Sequence, residues 1–215
     1  MQTVALVRYL VADALHGQRG IAPVLSFLVA TAVLDVMGGP VLPNYGATAV
    51  VLLPVALWLT VLIGGSEDAV QAAITTVTAG GAGRVLAARL LCAYLITWPL
   101  ILVALAWPII LGNPVSTTVL LYGVLAHLIT ALAGVGIGAL ISAPVIRRPA
   151  WSVLLGVGVA LLEVAVPYAP PARQVMTLFG HHSTGIAAGL LLIAVQTAVL
   201  AAATTLAAHR LAQRA

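Results

Sequence analysis

The chain has 215 residues, 62% of them hydrophobic and 7% charged, with nine basic and five acidic side chains and a formal net charge of +4. A soluble domain carries roughly 25% charged residues, so this chain cannot cover a water-facing surface, and a mean hydropathy of +1.17 excludes a disordered chain. An all-α integral membrane protein remains: the apolar stretches run well past the ~10 residues of a barrel strand and do not alternate.

The chain begins with an amphipathic segment. Val4, Val7, Val11 and Ala14 share one helical face, and Tyr9, Asp13 and His16 share another. This predicts an N-terminal interfacial helix over residues 1–20 on the cytoplasmic surface, broken by Gly17 and Gly20. A signal peptide fits less well. Ala30-Thr31-Ala32 offers a small-residue cleavage pattern, but Asp13, His16 and Gln18 interrupt the simple basic start that a signal peptide has.

Six apolar segments follow, each near the ~20 residues of a span. They are predicted at about 21–37, 47–65, 90–111, 115–143, 150–166 and 185–208, with an outer loop at 167–184 and a tail at 209–215. Arg8, Arg19, Arg84, Arg89, Arg147, Arg148, Arg210 and Arg214 then fall on one side and only Arg173 on the other. By the positive-inside rule both termini are cytoplasmic. Arginine-rich, lysine-free composition points to a GC-rich genome and so to a bacterial cell membrane. Gly134/Gly138 and Gly185/Gly189 have small-xxx-small spacing, read as close packing within one bundle rather than a dimer seam.

All nine basic residues are Arg. Without Lys there is no Walker phosphate loop, lysine Schiff base or Ser–Lys pair. The single Cys92 excludes intrachain disulfides and Cys-based metal clusters.

The stretch 66–89 is the richest in signals. Gly64-Gly65 end the second span, Ser66 is a plausible N-cap, and Glu67 and Asp68 sit where a helix N-terminus favours negative charge. Ala69, Val70, Ala73, Ile74 and Val77 fall on one face. Gly80-Gly81-Ala82-Gly83 are expected to stop this helix, and Arg84 and Arg89 to open the next span at headgroup level. The pattern describes a short amphipathic helix, about 67–79, between glycine hinges.

Here the chain resembles the membrane subunits of type-2 ABC exporters. Their loop between the second and third spans runs from acidic residues through a coupling helix and a small-residue turn to a basic residue and a Leu-rich span. The matching run is Glu67-Asp68, 69–78, 79–83 and Arg84-Val85-Leu86-Ala87-Ala88-Arg89-Leu90-Leu91. The 167–184 loop, with Pro167, Pro170 and Pro171 early and Met176, Leu178 and Phe179 later, is similar in place to the family's segment that dips into the outer leaflet. Gln71-Ala72-Ala73 stands where a Glu-x-Gly-Thr-like start is common, and Arg89 replaces the usual Lys. The resemblance implies a six-span permease, half of a translocation pathway, working with a second permease copy or a homologous permease and a separate ABC ATPase. That ATPase supplies ATP and Mg; this chain holds no cofactor, is not itself an enzyme, and binds membrane lipid but no nucleic acid. Glu67, Asp68, Val70, Ala73, Ile74, Val77, Arg84 and Arg89 are the expected docking residues. Apolar walls suit a hydrophobic or amphipathic cargo.

Three ionisable residues fall within spans. Asp35 and Glu163 lie near the outer ends of the first and fifth, and His127 in the middle of the fourth. Such residues normally face the protein interior or a water-filled cavity. They are therefore candidate pathway or gate residues, against interfacial solvation for the carboxylates and a hydrogen-bonded interior role for His127. Trp58, Trp98, Trp107 and Trp151 read as packing and interface anchors. His181-His182 is the one His pair; a metal site needs three or four converging ligands, so none is expected. Ser183 beside His182 lacks a G-x-S-x-G context for hydrolysis. The rival readings are a polytopic membrane enzyme using His127, Glu163 and the His181-His182 loop, or an accessory membrane subunit.

Overall fold

The computed structural model describes residues 2–143, 145–146, 148–166, 171–180 and 185–213. Arg147, Pro167, Pro170, His181, His182, Ser183 and Arg214 lie outside them. The described residues form nine helices: α1 Gln2–His16, α2 Ile21–Val36, α3 Val41–Gly64, α4 Ala69–Thr78, α5 Ala82–Ile110, α6 Thr117–Ile141, α7 Pro149–Ala165, α8 Ala172–Gly180 and α9 Ile186–Ala212.

Four of these, α3, α5, α6 and α9, are long and apolar enough to cross a membrane. The α1–α2 pair, bent by 74° at its break, gives at most a fifth. At 1.5 Å per residue the 16 residues of α2 and 17 of α7 reach only about 24 and 26 Å, short of a ~30 Å hydrocarbon core. Each of the six predicted apolar segments falls on a helix, but the limits move. The α3 helix starts at Val41 rather than 47, because Pro40 caps it in extended conformation and Pro43 sits in the first turn, where its missing N–H is no loss. The α5 helix starts at Ala82 rather than 90: the chain turns at Gly80 and Gly81, with φ of +78° and +131°, and Gly83 is already helical. Arg84 and Arg89 therefore stand on a helix. At the far end α9 runs to Ala212.

The bundle is built around α3. Glycines on α6 let the two backbones approach: a Cβ on Gly134 would lie 2.4 Å from the Leu53 carbonyl oxygen, and one on Gly138 2.6 Å from Thr60 Cβ. Gly136, on another side of α6, meets Ala201 of α9 in the same way. The Gly134/Gly138 spacing thus serves packing inside one chain, as small residues do between membrane helices. Gly189 of α9 faces Leu178 of α8, while Gly185 caps α9 with a φ of +103°. The α8 helix buries Ala172, Val175 and Phe179, with Phe179 against Gly46 of α3.

One face of the N-terminal helix packs on the bundle. Val7 and Leu10 are buried, Val11 and Ala14 half-buried, against Ala88 and Cys92 of α5 and Ile63 of α3. Val4 stays exposed, so the buried stripe is Val7, Leu10, Val11 and Ala14. One end of the bundle gathers several elements. Gly64 meets Ser142 after α6, Gly83 meets His209 of α9, and Arg19 Nη1 donates to the Ser66 carbonyl at 3.3 Å. Arg84, Arg89 and Arg210 stand on the helices that meet there, α5 and α9, and Arg19 at the junction itself; Arg173 is on α8.

Candidate functional site

The α4 helix is capped by Asp68, whose carboxylate accepts the Gln71 backbone N–H at 2.8 Å. Ser66 is not the cap; its hydroxyl donates to the Ile63 carbonyl. Asp is as good a cap as Ser, and α4 runs over Ala69–Thr78, one to two residues inside its predicted limits. Glu67 does not lie on the helix. Its carboxylate turns inward, accepting from Arg89 Nη2 at 2.6 Å and from Thr75 Oγ1 at 2.7 Å. Both partners are withdrawn from solvent, with 1% of the Glu67 side chain and 10% of that of Arg89 exposed. At the other end of α4, Arg84 Nη1 donates to the Ala79 carbonyl at 3.2 Å, closing a helix C-terminus with a cation. Gln71 Nε2 donates to the Tyr9 hydroxyl at 2.6 Å, tying α4 to α1.

All of these anchors are polar. The apolar residues point the other way: Val70 is 71% exposed, Ile74 60% and Val77 80%, with Ala73 exposed between them. A ten-residue helix is marginal alone in water; here Asp68, the Glu67–Arg89 pair and Arg84 hold it to the start of α5 while its apolar stripe faces outward. The sequence brought out Glu67, Asp68, Arg84 and Arg89 but treated them as one docking set with the stripe. The structure separates them into anchors and an outward face. Thr75, Gln71 and Tyr9 were missed; a polar residue eight positions after Glu67 on a short helix was the available signal.

Among the described residues, no hydrogen bond or ion pair links the three candidate pathway residues to one another. His127 is fully buried between α6 and α3. Its Nδ1–H donates to the Gly123 carbonyl at 2.7 Å, so Nε2 accepts from the Thr48 hydroxyl at 3.0 Å, and Tyr45 packs edge-on at 6.3 Å. Both ring nitrogens are used inside the protein, which is the interior hydrogen-bonded role. Asp35, at the end of α2, accepts from the Asn44 amide of α3. Glu163 of α7 is 8% exposed and accepts the Ala172 backbone N–H at the start of α8. Each carboxylate thus fastens two neighbouring elements. No three His, Cys, Asp or Glu side chains among the described residues are placed to hold a metal. Trp58, Trp98 and Trp151 are exposed and Trp107 half-buried, and Tyr94 packs edge-on against Trp98 at 6.5 Å.

These helices define an all-helical, multi-pass membrane protein with a short helix fixed across one end of its bundle. No family model, curated protein or solved structure matches the chain.

Proposed function

We propose that the chain is the permease subunit of an ATP-driven exporter resembling the type-2 ABC class, with α4 as its coupling helix. The observation that carries this reading is the outward stripe of Val70, Ala73, Ile74 and Val77 on a helix anchored to α5 by the Glu67–Arg89 pair. Anchors at spacings of three and four are what helix-in-groove docking uses. A partner ATPase gripping α4 would act on α5 through that ion pair, and α5 is long enough to carry a displacement across the membrane. In this reading α3, α5, α6 and α9 cross the membrane together with the shorter α2 and α7, where the bilayer would thin to match them; α8 lies in the outer leaflet, both termini are cytoplasmic, and two permeases complete the pathway in a bacterial cell membrane. ATP and Mg are held by the ATPase, and the cargo is hydrophobic or amphipathic.

The test is co-purification with a Walker-motif ATPase encoded beside the gene. Val70→Asp and Ile74→Asp are expected to release that ATPase or abolish permease-stimulated ATP hydrolysis. Losing one well-buried anchor costs more than ~1 kcal/mol, about fivefold in affinity. Both side chains face outward, so the bundle should assemble normally. Full retention with unchanged coupled hydrolysis in both variants would sink the assignment.

Orientation has its own check. In a Cys92→Ala background, single cysteines at Asn44 and Asn113 should react with an impermeant maleimide added to intact cells, and one at Ser66 only after lysis. Labelling of Ser66 from outside would reverse the map.

A further inference from the structure

The elbow between α1 and α2 encloses a cavity of about 230 Å³. Its floor is apolar and buried: Leu10, Leu59 and Ile63 are 2%, 3% and 5% exposed. Its mouth is lined by Asp13, Gln18 and Arg19. One feature of that mouth points to a ligand. Asp13 and Arg19 carry opposite charges on one rim but are not paired with each other, since Arg89–Glu67 is the only ion pair among the described residues. Gln18, between them, turns the chain out of α1 with a φ of +53°, the left-handed conformation that closes many helices. The cavity also sits where a 74° bend joins a helix at the arginine-rich end to one running into the bundle. Arginine clusters beside apolar helices favour the headgroup level of a membrane.

We propose that this elbow is a specific site for one phospholipid of the leaflet at the arginine-rich end, with a zwitterionic, primary-amine headgroup: phosphatidylethanolamine. An acyl chain occupies the apolar cavity. The phosphodiester takes charge-assisted hydrogen bonds from Arg19, which has five N–H donors and gives one nitrogen to the Ser66 carbonyl. The ammonium donates to Asp13. Phosphatidylcholine keeps the phosphate contact but has no N–H for Asp13, and phosphatidylglycerol has no cation at all. Arg19 also holds the turn before α4 through Ser66, so a bound headgroup would stiffen the junction of α1, α2 and α3. The inference requires the membrane and not the exporter reading.

The experiment is native mass spectrometry of the delipidated full chain in detergent, titrated with phosphatidylethanolamine, phosphatidylcholine or phosphatidylglycerol of matched chains. The first phosphatidylethanolamine should bind about three- to tenfold more tightly than the others. Asp13→Asn should erase the preference over phosphatidylcholine; Arg19→Gln should weaken both. Ala14→Trp, filling the cavity, should remove the first tight lipid, whereas Val29→Trp on the open face of α2 should not. Equal first-lipid affinity for all three headgroups, a preference that survives Asp13→Asn, or unchanged tight binding in a folded Ala14→Trp would overturn the proposal. Should Ala14→Trp not fold, the conservative Asp13 and Arg19 variants decide it.

Discussion

Replacing Glu67 with Ala is expected to destabilise the arginine-rich end of the bundle by about 3 kcal/mol, because it leaves a buried guanidinium unpaired. Arg89 is 8% exposed; its Nη2 bonds to Glu67, and its Nε has no partner among the described residues. Thr75 would lose its acceptor as well. Arg89→Ala should cost a similar amount for the converse reason. The double variant Glu67→Leu/Arg89→Met should recover much of the loss, since well-packed apolar side chains often replace a buried ion pair at little cost. Unfolding by denaturing detergent, read by circular dichroism, measures all four proteins. Limited proteolysis at the 79–81 turn reports whether α4 is released. If the single variants unfold with the wild type, the pair is not holding α4. This outcome is independent of any partner, so it separates the anchor from the docking face tested by Val70→Asp.

Gly134→Ala should be the most damaging methyl group that can be added to the bundle. Exchange of Gly for Ala inside a helix ordinarily stabilises it by ~1 kcal/mol. Here the new Cβ would lie 2.4 Å from the Leu53 carbonyl oxygen, 2.9 Å from Ala56 Cβ and 3.1 Å from the Leu57 nitrogen. Two of those atoms are backbone and cannot rotate away, so α6 must move off α3. Overpacking of this kind costs about 1–3 kcal/mol or more, and the shift would also stretch the His127–Thr48 hydrogen bond between the same two helices. Gly158→Ala on α7 is the control. Nothing lies within 4 Å of its Cβ position, so it should be neutral or slightly stabilising. Equal thermal stability of the two variants would mean that the α3–α6 contact is looser than described.

Hydropathy and length made the class of protein legible. Six apolar runs, the break at Gly17–Gly20 and a short helix after Gly64-Gly65 are local patterns; the runs and the short helix each correspond to a helix, and the break to the turn between α1 and α2. They are legible because a helix in lipid must satisfy its own backbone, so a run of apolar residues has one way to fold. Limits were less legible where polar residues continue a helix. Arg84 and Arg89 read as the border of a span, yet both lie on α5, and the buried partner Glu67 explains how Arg89 can be there.

Tertiary structure alone decided direction and partnership. Periodicity put Val70, Ala73, Ile74 and Val77 on one face of α4, but whether that face packs inward depends on what the opposite face can bind. Glu67, Asp68, Arg84 and Tyr9 engage the polar side and the ends, and so the stripe is left outside. The same holds for Gly134 and Gly138: their spacing requires a close neighbour, and only the packed bundle shows it to be α3 of the same chain. It holds for His127 too, a residue that must find partners wherever it is buried, and whose partners are Gly123, four residues back, and Thr48, on another helix. Composition and periodicity are properties of neighbouring residues along the chain and specify helices. Which side chains meet across tens of residues follows from how the helices pack, and the anchor, the outward stripe and the elbow cavity all depend on such meetings.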